Sequence, residues 1–458
     1  MDIMQKSTMT APLTLEELPA VVARHVESVE AIDVHTHLLP PNHGNLMLYG
    51  IDELLTYHYL VAELFMVLPL DSEEDSVSQP GDAPTPDLFF GWPKPRQADL
   101  VFKELFVRRT PLSEACRGVV TVLTRLGLGD ELRRAMGKGG DLGEIRAWFA
   151  ALDPAEHVER VFTAAKVRYA VMTNIPFSAE EAVHWMPSAD GAPPPPVSDR
   201  FKTALRVDPL LAGDWTGICA VLSRSTPAYE HSLDGLRSFL RDWVKRIQPI
   251  YLMASTPGGF KYSRGRRPAP LWAAGEQPSA VQLIEQVLLP LAEECKLPLA
   301  LKCGAVRGVN PELRSGGDGV EVADLSFIRQ MCSHYPSVKF LVTVLSADNQ
   351  HELCVLARKF GNLHVYGCWW FCNNPSIIEA TTRMRLEMLG TAFTAQHSDC
   401  RVLEQLVYKW PHSRAVIAPL LAEQYAKLVR SGWELRVADV ERDVHLLFGG
   451  AYEAFMAK

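Results

Sequence analysis

Two histidines separated by one residue, His35 and His37, end the short run Ala31-Ile32-Asp33-Val34 and precede the stop Pro40-Pro41. Residues i and i+2 of a strand project to one face, so both imidazoles would leave a strand end together and could share a cation. The pattern alone is weak: with 14 His in 458 residues, His-x-His arises by chance about 0.4 times. Its place at the junction of a buried strand and a loop makes it a metal-site candidate.

The elements that must position such a pair follow from the β-rich runs of the chain. Eight are legible: Ala31 to His37, Val167 to Thr173, Phe201 to Val207, Ile250 to Ala254, Pro298 to Cys303, Val338 to Leu345, Leu363 to Trp369 and Phe393 to Ser398. Helical patterns separate most of them. Such alternation predicts an α/β protein, a (β/α)8 TIM-type barrel, with a doubly wound sheet as the runner-up. Residues 1–38 read as an N-terminal helix and the first strand, 39–162 as a helical insertion subdomain, and 163–458 as the rest of the barrel with its C-terminal helices. Inside the insertion, Asp71 to Arg96 is acidic and rich in Pro and Gly, and reads as a loop.

A barrel carries its chemistry at the carboxyl ends of its strands. The polar residues there are His35 and His37 on the first strand, Arg206 on the third, Lys302 and then Arg307 on the fifth, and His397, Asp399 and Arg401 on the eighth. Closure would place the first and eighth strands side by side, so His35, His37 and Asp399 become three ligands for one divalent ion with positions left open. His397, deeper in the barrel, reads as a core histidine. Any single arginine is more often half of a surface salt bridge, but three converging on a metal suit a carboxylate. Tyr57-His58-Tyr59 is the one cluster of aromatic and titratable groups in the insertion, read either as a packed helix face or as donors over the barrel mouth.

Composition narrows the partners. A chain with 47% hydrophobic and 22% charged residues is an ordinary globular one, and a net charge of −8 argues against nucleic acid. No leader-like segment opens it and no run is apolar enough to span a bilayer, which predicts a cytoplasmic protein without a membrane partner. The nine scattered cysteines read as reduced thiols, not as a disulfide framework. Self-association into a homo-oligomer stays open.

These residues carry a family resemblance. The chain is similar to the uronate isomerases (glucuronate isomerase), a branch of the amidohydrolase superfamily of metal-dependent barrels, over most of Ala31 to Phe455. Asp33-Val34-His35-Thr36-His37-Leu38 resembles the metal-binding opening of that family, and His58-Tyr59 part of its Asp-His-Tyr segment. Thr173-Asn174-x-Pro176 followed by Arg206 resembles its second and third strand ends. Leu301-Lys302-Cys303-Gly304-Ala305-Val306-Arg307 lies over a Leu-His-x-Gly-Ala-x-Arg motif, Trp369-Trp370-Phe371 over a Trp-Trp-Phe run, and Asp399-Cys400-Arg401 over a Thr-Asp-Ser-Arg segment. Two positions depart: Lys302 stands in place of a histidine and Tyr57 in place of an acid.

The resemblance implies aldose–ketose isomerisation of a hexuronic acid, D-glucuronate to D-fructuronate or D-galacturonate to D-tagaturonate. It implies one divalent ion, Zn2+ with Mn2+ as the alternative, on His35, His37 and Asp399. Asp399, Tyr59, His58 and Lys302 would be the catalytic groups, and Arg206, Arg307, Arg401 and Trp370 would bind the small anionic sugar acid. A metal-dependent hydrolase or decarboxylase acting on a small carboxylated substrate is the alternative, favoured by the lysine at 302.

Overall fold

The strands are short and almost all parallel. In the computed structural model, which describes residues 11–69, 84–187, 191–263, 269–273 and 275–458, they are β1 (Ala31–Asp33), β2 (Val167–Val171), β3 (Phe201–Lys202), β4 (Leu205–Arg206), β5 (Leu252–Ser255), β6 (Leu299–Cys303), β7 (Ala305–Val306), β8 (Gly319–Val320), β9 (Phe340–Val344) and β10 (Leu363–Val365). Parallel ladders run β1-β2-β3 and β4-β5-β6-β9-β10, while β7 and β8 form a small antiparallel hairpin. β3 and β4 are halves of one stave, linked to the β2 side by a bridge between Asn174 and Leu205. The eighth stave joins through a bridge between Tyr366 and Thr394. The order is that of a (β/α)8 barrel.

Most expected strands are shorter than their apolar patterns, Leu363 to Trp369 pairing only over Leu363–Val365 for example, and two of them bear on the site. The first ends at Asp33, so His35 and His37 lie on the irregular chain beyond it. The run Phe393 to Ser398 pairs as a strand only at Thr394, because the lower part of its seam with β1 is filled by other chain. There Ala395 N–H donates to Leu447 O (2.9 Å), in the turn Leu446–Gly450. A Cβ at Gly449 would lie 2.6 Å from Ile32, and its φ of +135° suits glycine, so this wedge needs that residue. Higher up the two staves meet directly: His37 N–H donates to Cys400 O (2.7 Å) and Asp399 N–H to His35 O (3.2 Å).

Side-chain alternation sorts the staves into a lining and an outer face. Ile32, Val171, Ala204, Met253, Ala300 and Leu341 share an interior cluster closed below by Tyr452 and Phe455 of the last helix, Ala451–Ala457. On β6, Leu299, Leu301 and Cys303 face the surrounding core instead. Lys302 therefore has the parity of Ala300 and points into the barrel one layer nearer the carboxyl end, flanked on the neighbouring strands by Ser255 and Thr343.

Between β1 and β2 the chain is helical, and its apolar residues share one continuous cluster with those around the barrel. Within it, Ile51–Leu55 and His58–Val67 are two helices, broken where Tyr57 takes an extended conformation (ψ 137°). Of the loop expected over 71–96, residues 71–83 lie outside the described residues. The remainder is mostly helical: Thr85 caps Pro86–Gly91 by accepting from Leu88 N–H (3.4 Å), and Lys94–Phe102 follows. Thr-Pro at a cap and first helical position outweighs the breaker reading of that stretch.

One buried pair ties this layer to the eighth stave. His157 Nε2 lies 2.7 Å from Glu404 Oε1 with both side chains fully buried, and the same oxygen accepts from Gly50 N–H (3.1 Å). Glu404→Ala should cost about 3–5 kcal/mol, read as a lowered midpoint in urea; a change within 1 kcal/mol would show the pair to be structurally idle. All nine cysteines are free. Among the described residues no helix is long and apolar enough to cross a membrane.

Candidate active site

Three ligand atoms meet where the first and last staves touch. Asp399 Oδ1 lies 3.0 Å from His35 Nε2 and 3.6 Å from His37 Nε2, and one ligand atom from each residue falls within 4.8 Å of the others. The aspartate sits at φ +54°, a left-handed conformation uncommon for a residue with a Cβ. Trp370 is at +43°. Left-handed backbone at residues with a Cβ is the sort of distortion that persists where function requires it.

Protonation favours a cation here. Burial, followed by the charge of Lys302, holds His35 well below its usual value; burial and then Arg401 hold His37 at about 3. Both imidazoles are neutral at physiological pH. Burial works against ionisation of Asp399, but Lys302 and the two histidines more than offset it and keep the carboxyl well below its usual range. Two neutral imidazoles and one carboxylate fit a divalent ion such as Zn2+.

The same atoms also serve Lys302. Its Nζ donates to His35 Nε2 (2.5 Å) and to Asp399 Oδ1 (2.7 Å), and lies 4.5 Å from the Trp369 ring centroid. Only 2% of its side chain is exposed. Burial lowers its pKa to about 8 against the opposing pull of Asp399. Against a charged Lys302, a donor only, His35 Nε2 can only accept; its Nδ1 has no partner among the described residues.

The mouth is lined from three directions. His58 begins the second helix of the insertion, with Nε2 buried and unpartnered; burial and the Arg401 charge hold it near 3. Tyr59 stacks on Phe371 (6.0 Å between centroids), and burial, then Tyr57, push its phenol well above the usual value, so it remains an O–H donor. Trp370 stacks on Phe371 at 4.6 Å and leaves Nε1 buried without an acceptor. A cavity of about 240 Å³ is lined by Tyr57, His58 and Arg401, and a second of about 280 Å³ by His58, Tyr59 and Trp370. Neither is lined by His35, Lys302 or Asp399, which are buried, with 8% of the Asp399 side chain exposed.

The three arginines stand differently. Arg206 Nε donates to Asp208 (2.8 Å), and Arg307, more than half exposed, pairs with Asp318 while its guanidinium lies 5.6 Å from the Trp370 ring centroid. The half-buried Arg401 has no side-chain partner among the described residues, yet its charge acts on His37, His58 and Tyr57. His397 is buried as expected of a core residue, but neither ring nitrogen has a partner.

Several supporting groups escaped the sequence reading. Asp33 clamps the first stave to the eighth, accepting from Ser398 N–H (3.0 Å) and Trp410 Nε1–H (2.9 Å). Gln396 accepts from Cys368 N–H (2.9 Å) and donates to Asn373 and Ser413, bracing the tryptophan loop against the eighth stave. Lys409 is 3% exposed, with Nζ 5.5 Å from the ring centroids of Tyr59 and Tyr408. A charged residue in a run as apolar as Val407-Tyr408-Lys409-Trp410 is the signal that could have found it.

A barrel that gathers two histidines, an aspartate and cationic side chains at the carboxyl ends of its staves has its candidate site where (β/α)8 enzymes carry theirs. No family model matches the chain, and neither does any curated sequence. Among solved structures, a uronate isomerase from Bacillus halodurans C-125 is similar with a TM-score of 0.83 and 40% identity, over 97% of each chain. A uronate isomerase from Thermotoga maritima (TM-score 0.67, 14% identity, 98% of each chain) and glucuronate isomerase from Caulobacter crescentus (0.63, 14%, 96% of this chain and 94% of that one) share the fold. The chain belongs to the uronate isomerase family.

Proposed function

We propose that this protein isomerises a hexuronic acid between aldose and ketose forms, D-glucuronate to D-fructuronate or D-galacturonate to D-tagaturonate. The observation that carries this reading is the Arg401 guanidinium beside the His37–Asp399 centre, without a side-chain partner among the described residues, in a chain 40% identical to a uronate isomerase. A sugar acid needs a carboxylate anchor at one end and proton-exchanging groups at the other, and this arrangement offers both.

Arg401 would take the C6 carboxylate, with Arg206 and Arg307, already neutralised by their own carboxylates, reaching neighbouring hydroxyls. Trp370 Nε1–H is a free donor for a sugar oxygen, and its ring gives a flat wall. His58, neutral, would accept from a hydroxyl through Nε2 and orient the chain. At the C1–C2 end, Asp399 is held ionised and would accept the departing proton, while Tyr59 and Lys302 are donors to the oxygens on which charge develops. His35, His37 and Asp399 would hold one divalent ion, Zn2+ or Mn2+, which when bound supplies Lewis-acid polarisation of the sugar oxygens.

Purified protein supplied with Zn2+ or Mn2+ and either uronate should produce the matching ketose signals by NMR, and no ketose from either sugar would end this reading. In D2O, deuterium at C1 of the ketose would mark proton transfer. Tyr59→Phe should lower turnover by about 100-fold while metal content is unchanged. Unaltered turnover would remove the phenol from the reaction. Lys302 is the one residue that weighs for a hydrolase or decarboxylase; the arginines and His58-Tyr59 weigh for isomerisation.

A further inference from the structure

We propose that Lys302 and a divalent ion are alternative occupants of one position, so that the centre holds a single cation at a time and takes up a metal only when the lysine withdraws. The inference rests on the reading of His35, His37 and Asp399 as a cation site and adds a built-in competitor to it.

The geometry is specific. Lys302 Nζ is 2.5 Å from His35 Nε2 and 2.7 Å from Asp399 Oδ1, two of the three atoms that would ligate an ion. An imidazole nitrogen has one in-plane lone pair. His35 Nε2 can accept from the ammonium or coordinate an ion, and cannot do both. Strand parity on β6 aims residue 302 into the barrel, and Trp369 covers the ammonium with its ring face at 4.5 Å. Side-chain exposure of 2% leaves Nζ no solvent alternative while it stays in place. An ammonium there already balances the Asp399 charge, and a second positive centre beside it would be repelled.

Chelated protein is dialysed to equilibrium against graded Zn2+ and, separately, Mn2+ at one fixed pH, and bound metal is measured by elemental analysis for the wild type, Lys302→Met and Lys302→His. Both variants should fill one site at ion concentrations about 100-fold lower than the wild type needs, the loss of two charge-assisted hydrogen bonds being the competing interaction. Equal affinities would overturn the competition while leaving the three-residue site intact. Weaker binding by Lys302→Met than by wild type would make the amine a ligand and also overturn it. Binding by none of the three would remove the cation site itself, and the proposal with it. A measurement on unaltered protein guards against variants that do not fold: with Zn2+ at the concentration that half-fills Lys302→Met or Lys302→His, the wild-type melting temperature should stay within about 1 °C of the chelated protein's, and a rise of several degrees there would overturn the proposal.

Discussion

Replacing Arg401 by methionine should cut kcat/KM for a hexuronate by roughly 100- to 1,000-fold, about 3–4 kcal/mol, with little change in stability. Among the described residues its guanidinium holds no side chain, so its removal orphans none of them, whereas a bound carboxylate would lose its charge-assisted partner. Arg206→Met is the matched control. That guanidinium is already held by Asp208, whose other oxygen accepts from Ser255 N–H (2.9 Å), so its loss should cost nearer tenfold. An Arg401→Met enzyme with unchanged kcat/KM, or one no worse than Arg206→Met, would move the carboxylate anchor elsewhere.

The second large effect concerns Asp399. Asp399→Asn should lower turnover at least about 1,000-fold with the fold retained, because asparagine tolerates the left-handed backbone that residue 399 adopts. The loss would be of charge alone: no anion would remain to accept a proton, to balance Lys302 or to face His35 and His37. Asp399→Ala should in addition lose about 3–5 kcal/mol of stability, since it strands a buried ammonium. Steady-state kinetics and urea unfolding of the two variants separate these effects. An Asp399→Asn protein keeping a tenth of its activity would refute the assignment.

Much of this was legible in the chain because its signals are local or topological. Alternating β-rich runs and helices specify the barrel, and barrel closure brings Asp399 to a His-x-His motif far away in sequence. The extent of the staves was not legible: an apolar run looks the same whether it pairs fully, as Phe340–Val344 does, or yields its seam to a turn, as Phe393 to Ser398 does to Leu446–Gly450. Side-chain partnerships were hidden for a related reason. Asp208 lies two residues from Arg206 and Asp318 eleven from Arg307, spacings that carry no periodic signature. The lysine at 302 was visible as a departure from its family, but only the inward parity of its strand and the depth of the centre put its ammonium on two of the three ligand atoms.

On the ribosome, His35, His37 and Lys302 are synthesised long before Asp399, and the turn that wedges the seam emerges later still. A nascent chain therefore carries its polar centre without the acid that compensates it, inside a cylinder that has not yet been sealed. Non-local closure of this kind is slow and leaves strand edges open to wrong partners. The enzyme thus depends on the segment from Asp399 to Gly450 as a latch, and chains cut short of it should accumulate as aggregates before they accumulate as inactive barrels.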